Sequence, residues 1–271
     1  TKKSNVKQAK VVVSLDTIPA YSFMFGMAGH SSALDKLRRW YFSKKLGPLL
    51  EKIDSIVLYS ELLRNHLIKA VPKVEAQKIS ILPTGTLFTE TRQAVELEAP
   101  KNGEQPLKVL FVGLLNKRKG IDTLIKVARR VVEEYKQVEF VIAGTSTQQP
   151  QWEKEAKDLI KNGHMQFLGR ISKIKDYYKE ADLFFLPSRA EGLPGVLMEA
   201  MAHGLPIISS NIPCIPDLIT NGVNGTLCDS EDQESFTEAI VQLLNDKGKR
   251  QAIGVANRGR IEEFSWNKIY P

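Results

Sequence analysis

From Leu107 onward, short runs of apolar residues alternate with stretches in which apolar residues recur at three- and four-residue spacing. The runs at 108–112, 138–143, 165–168, 183–186, 206–209 and 226–228 predict strands. The periodic stretches at 122–135, 151–161, 173–180, 196–203 and 215–220 predict helices between them. Strand and helix in alternation imply a parallel, doubly wound α/β sheet. Segments 233–244 and 249–264 read as closing helices. The first part is shorter and less regular, with strands expected at 11–15, 55–59 and 79–82 and helices at 35–53 and 61–70. A turn at 83–86 precedes residues 89–106, which are rich in Glu, Thr, Pro and Gly and read as a linker.

The segment 187–206 carries the densest chemistry. An apolar strand, Leu183-Phe184-Phe185-Leu186, leads into Pro187-Ser188-Arg189-Ala190-Glu191-Gly192-Leu193-Pro194-Gly195. A helix-favouring run through Glu199 follows and stops at Gly204. Glu191 therefore lies in a loop above a strand end, and Glu199 about one turn into the next helix. Between them are the backbone N–H groups of a helix start, which favour an anion. A diphosphate resting there would leave one carboxylate to reach sugar hydroxyls and the other to reach ribose hydroxyls.

This segment resembles the donor site of retaining glycosyltransferases of family 4, which have the two-domain GT-B fold. The resemblance implies that Glu191 holds the hexose and Glu199 the ribose. It implies that the backbone of Leu193, Pro194, Gly195 and Val196 meets sugar and phosphate. Two Rossmann-like domains are expected, the first incomplete in this chain: a partial acceptor-side domain at 1–95, a linker at 96–106, a nucleotide-sugar domain at 107–255, and the start of a crossover helix at 256–271. By usual domain size, about one hundred residues would be missing in front and fewer behind.

Three other motifs follow from the pattern. Phe111-Val112-Gly113-Leu114-Leu115-Asn116-Lys117-Arg118-Lys119-Gly120 links a strand to a helix. A lysine beside a helix start suits a diphosphate, as a point charge next to amide donors. In the family this loop has Arg directly after the first Gly and Lys before the second. Lys119 matches the Lys, whereas Leu114 stands where the Arg is common. Arg118 is a candidate replacement or a plain solvated charge. Gly169-Arg170 ends another strand, and the resemblance places its backbone beside the nucleobase. Asp16, after the first strand, is a candidate to contact the acceptor hydroxyl or donor sugar, or else a turn former. Relatives often carry a His near that strand end, and none is there. His203 is expected to meet the end of its helix, and His30 is an outside candidate on the acceptor side.

Charge changes the picture of the first part only. Residues 1–95 hold fifteen Lys and Arg against seven Asp and Glu, while the whole chain is +7. Residues 35–50 mix Lys36, Arg38, Arg39, Lys44 and Lys45 with Leu37, Trp40, Tyr41 and Phe42, a composition suited to an anionic membrane surface or to ordinary packing. No nucleic-acid module is legible. Neither is a metal-ligand motif, an Asp-x-Asp, a phosphate loop of the Gly-Lys-Ser/Thr type, or a G-x-G-x-x-G. Cys214 and Cys228 read as buried thiols. The expectation is a metal-independent enzyme without a cofactor, cytoplasmic and peripheral on the inner leaflet. It would transfer sugar from a nucleotide-diphospho-sugar to a glycan or lipid-linked hydroxyl. A GT-B phosphorylase or disaccharide synthase, and a non-catalytic partner protein, are the alternatives.

Overall fold

The computed structural model describes residues 12–14, 44, 48–58, 61–81 and 105–265. Asp16, His30, the basic stretch 35–43 and all but the end of the linker lie outside these residues. The chain divides into two compact units, Thr1–Thr84 and Gly85–Pro271.

In the first unit, β1 (Val12–Ser14), β2 (Ser55–Leu58) and β3 (Ile79–Ile81) form a parallel sheet in that order. Ile56 and Leu58 alternate inward along β2, and helix α1 (Glu61–Ala70) buries Leu67. The β2-α1-β3 run is a βαβ crossover, as parallel neighbours require.

The second unit is built on six parallel strands: β4 (Leu107–Val112), β5 (Val138–Ala143), β6 (Met165–Gly169), β7 (Leu183–Leu186), β8 (Ile207–Ser210) and β9 (Thr226–Cys228). Their spatial order is β6-β5-β4-β7-β8-β9. Growth runs outward from β4 in one direction and from β7 in the other. The β4/β7 pair is therefore a switch point, where the loops after two neighbouring strands diverge and leave a crevice. All four residues of β7 are buried, as expected for a strand covered on both faces.

Helix α2 (Ile121–Glu134) turns Ile121, Leu124, Ile125, Val127, Ala128 and Val131 into this core. It is followed by α3 (Gln149–Glu155), α4 (Lys157–Lys161), α5 (Ile174–Glu180), α6 (Gly195–Ala202), α7 (Gln233–Asn245) and α8 (Lys247–Ile261). Two expected helices differ. The helix expected over 151–161 starts earlier, with Pro150 in its first turn, and breaks at Ala156. There Arg129 from α2 donates to the Glu155 carbonyl and to Asp158 at 2.8 Å, competing for an acceptor near the break. Segment 215–220 is a set of turns rather than a helix. Pro216 lacks an N–H, Cys214 sits at φ 76°, and the Asn224 side chain accepts from the Thr220 N–H at 2.7 Å.

Candidate functional site

The loop after β4 carries Lys119 in a short 3₁₀ turn, Lys117–Lys119. Asn116 shapes it, its side-chain oxygen accepting from the Lys119 N–H at 3.0 Å. The turn ends at Gly120, whose φ is 73°. A Cβ there would lie 1.9 Å from the Pro187 carbonyl oxygen, at the end of β7. Only glycine lets the two loops approach this closely.

That approach brings Lys119 to Glu191, 72 residues away. The Lys119 Nζ donates to Glu191 Oε1 at 2.7 Å and Oε2 at 2.8 Å. Ser188 Oγ, fully buried, donates to the same Oε1 at 2.6 Å. The side chains are 4% exposed for Glu191 and 13% for Lys119. Burying two charges costs desolvation that their attraction only offsets, so the pair is poor evidence for a purely stabilising role.

Beyond Glu191 the chain enters α6 at Gly195. Pro194 is the N-cap and no side chain caps the helix start. The first-turn amides of α6 therefore point into a space where anions are favoured. A Cβ added at Gly195 would meet nothing within 4 Å. Leu193 and Val196 pack partly against the core, and Pro194 is buried.

Glu199 sits one turn into α6, half-buried. Burial raises its pKa above the ordinary carboxyl value, and a hydrogen bond from Tyr178 pulls the other way. The Tyr178 hydroxyl also lies 3.3 Å from the Val196 carbonyl. One proton serves both acceptors, and the charged one is the stronger partner. Burial first, and the Glu199 charge second, push the Tyr178 pKa well up. The Tyr178 ring stacks on His203 at 5.1 Å. His203 Nδ1 lies 2.8 Å from the Glu199 carbonyl, so it meets its own helix end as expected.

A cleft of about 530 Å³ opens over the ends of β4, β5 and β6, with Gly113, Gly144, Arg170, Val196 and Glu199 in its lining. Gly144, at φ 147°, allows it: a Cβ there would lie 1.8 Å from the Gly113 carbonyl oxygen. Gly169 also meets this edge, its carbonyl accepting from the Gly144 N–H at 2.9 Å. Leu114 is 54% exposed at the mouth. Arg170 lines a second groove of about 420 Å³ along α5 as well. Lys119 and Glu191 are not part of the cleft lining. Gly113 links the two places, since a Cβ on it would be 3.8 Å from the Lys119 Cδ. Arg118 bonds the Ala190 carbonyl at 3.0 Å, so its guanidinium braces the Glu191 loop. Asp16 lies outside the described residues.

Sequence reasoning missed Ser188, Tyr178 and Arg189. Arg189 is the most connected: Asp122, Thr123, Glu231 and the Lys117 carbonyl all accept from it. Its position two residues before Glu191 is a signal in the sequence. Its partners, 42 to 72 residues away, are not. Among the described residues no group of three or more His, Cys, Asp or Glu is placed to hold a metal ion, and no helix is long and apolar enough to cross a membrane.

Residues 93–260 match the family model described as glycosyl transferases group 1. The chain belongs to that family. The group 1 match takes in β4 to β9 and both glutamates. Among relatives, the chain is 28% identical to the amylovoran biosynthesis glycosyltransferase AmsK of Erwinia amylovora, over 91% of this chain and 66% of that one. It is also 28% identical to the capsular polysaccharide biosynthesis glycosyltransferase CapM of Staphylococcus aureus, over 82% of this chain and 62% of that one. The chain spans about half to two thirds of the length of the curated relatives it matches. HepE of Anabaena, solved with UDP-glucose, superposes with a TM-score of 0.74 at 18% identity, over 96% of this chain and 70% of that one. At that identity the likeness is one of fold: α/β, with the parallel sheets of GT-B glycosyltransferases.

Proposed function

We propose that the second unit binds a nucleotide-diphospho-sugar, and that the protein transfers the sugar to a hydroxyl acceptor with retention, as a family 4 glycosyltransferase. One observation carries the reading. A buried Lys119–Glu191 pair stands at the β4/β7 switch point, beside an uncapped helix start with Glu199 one turn inside it. This supplies a cation and amide donors for a diphosphate, with one carboxylate toward each end of the donor.

In this reaction the bond from the anomeric carbon to the diphosphate oxygen breaks, and a bond to the acceptor oxygen forms on the same face. The departing oxygen takes the acceptor proton. Protein groups then only position the donor and stabilise charge growing on the phosphate. Lys119 and the Gly195 and Val196 amides do the second. Glu191 orients the sugar, Glu199 holds the ribose, and the Gly169-Arg170 backbone borders the base. Neither a metal nor a cofactor is required. Asp16, outside the described residues, is kept as the candidate to contact the acceptor hydroxyl or the donor sugar. The names of AmsK and CapM favour an acceptor in polysaccharide synthesis, a growing glycan or its lipid-linked form, and hence a cytoplasmic protein peripheral on the inner leaflet.

The test uses full-length protein and a panel of nucleotide sugars. At least one should raise Tm, and it should be consumed when a hydroxyl acceptor is added, with the new bond keeping the donor's anomeric configuration. Stabilisation without turnover would point to a non-catalytic binding protein. Phosphorolysis, or transfer only to a free sugar, would point to a phosphorylase or disaccharide synthase. No stabilisation by any nucleotide would sink the site.

A further inference from the structure

The proposed chemistry needs Lys119 and Glu191 held in a set geometry, although they lie on separate loops. The Lys119–Glu191 contact alone cannot fix those loops, because both side chains are to meet the donor. Other contacts must hold the loops when the pair engages the donor. We infer that Arg189 is the positioning residue that locks the Lys119 loop to the Glu191 loop; this rests on the function proposed above.

Arg189 immediately follows Ser188 and lies two residues before Glu191. Its backbone N–H donates to the Arg118 carbonyl at 2.8 Å, the residue before Lys119. Its guanidinium then reaches across the same gap. The Nη1 group donates to the Lys117 carbonyl at 2.6 Å and to Asp122 Oδ1 at 2.6 Å. The Nη2 group donates to Asp122 Oδ2 at 3.1 Å and Thr123 Oγ1 at 3.1 Å. The Nε group donates to Glu231 Oε1 at 2.7 Å, at the approach to α7. Lys119 is thus bracketed by Lys117 on one side and Asp122 and Thr123 on the other.

Chemistry explains why arginine is needed. A guanidinium offers five N–H donors in a planar fork, which matches Asp122 bidentately and leaves donors for a carbonyl, a hydroxyl and a second carboxylate. A lysine has three donors on one point and no fork. The Arg189 side chain is 9% exposed. Burial opposes its charge, but Glu231 and Asp122 outweigh that and raise its pKa, so it stays cationic. Arg189 touches neither Glu191 nor Lys119 in these contacts, and acts through the loops that carry them.

The test is Arg189→Lys in the full-length protein, with Lys119→Ala alone and combined. A misplacement of about 1 Å can cost on the order of a hundredfold in rate. Arg189→Lys should fold, lose at least tenfold in kcat, and in a crystal structure show Lys119 Nζ moved beyond hydrogen-bonding reach of Glu191. In the Lys119→Ala background the same change should cost little more, because the geometry it protects is already gone. An unmoved Lys119–Glu191 contact, or losses that multiply, would overturn the inference. Asp122→Asn, which removes the bidentate charge and leaves Arg189 in place, carries the same readouts if Arg189→Lys does not fold. The two readings separate cleanly. If Lys119→Ala keeps full turnover while Arg189→Lys opens the contact, the proposed function of the pair fails and Arg189's positioning role stands.

Discussion

Glu199 holds its proton more tightly than an ordinary glutamate, chiefly through burial. The proposed contact with ribose wants the ionised form, because a charged acceptor bonds hydroxyls more strongly than a neutral one. Glu199→Ala should weaken nucleotide binding by about 1.5–3 kcal/mol, measured by calorimetry. Affinity should also fall as pH drops through the raised pKa, and Glu199→Gln should flatten that step. Stability runs the other way. A carboxyl whose folded pKa is raised contributes stability below its unfolded pKa, and the contribution is lost as pH rises through the folded pKa. Glu199→Gln should therefore hold or raise Tm at pH 8 while weakening nucleotide binding. A fall in both would make Glu199 a structural residue. Both glutamates were legible in the sequence because they sit within one strand-loop-helix unit. The Tyr178 hydroxyl was not, because it comes from a helix preceding the strand.

At the scale of elements, the site depends on how closely loops approach one another. Gly120→Ala would force a Cβ onto the Pro187 carbonyl and hold a non-glycine residue at φ 73°. Left-handed backbone alone costs on the order of 1–3 kcal/mol. The substitution should lower Tm by several degrees and turnover with it. Gly195→Ala meets no atom within 4 Å. Its Tm should stay within about a degree or rise, since alanine is favoured over glycine by roughly 0.5–1 kcal/mol inside a helix. Equal damage from both would mean that loop packing is not what the Gly120 contact protects. Element type followed from local pattern wherever that pattern was strong: β4, β5, β7 and α2 lie within a residue or two of expectation. It failed at 215–220, where Asn224 and the prolines set the backbone, and at Ala156, where Arg129 arrives from another helix.

For the molecule as a whole, the basic excess of residues 1–95 bears on where the protein works. Each Lys or Arg near an anionic membrane surface contributes about 1 kcal/mol, and salt screens it. Full-length protein should co-sediment with anionic vesicles, bind neutral ones weakly, and be released by salt. Binding indifferent to lipid charge, or none, would leave a soluble acceptor as the reading.

The alternating pattern over 107–228 implied the α/β class and the parallel sheet, and the segment 187–206 singled out the two glutamates and carried the resemblance to the family, because each signal is read from neighbours along the chain. Tertiary structure alone decided which loops meet. Strand order puts β4 beside β7 although 70 residues separate their ends, from Val112 to Leu183. Only that adjacency joins Lys119 to Glu191 and gives Arg189 its partners on the other loop. A hydrogen bond needs two groups within about 3 Å, and nothing in a local window records which distant group will be there.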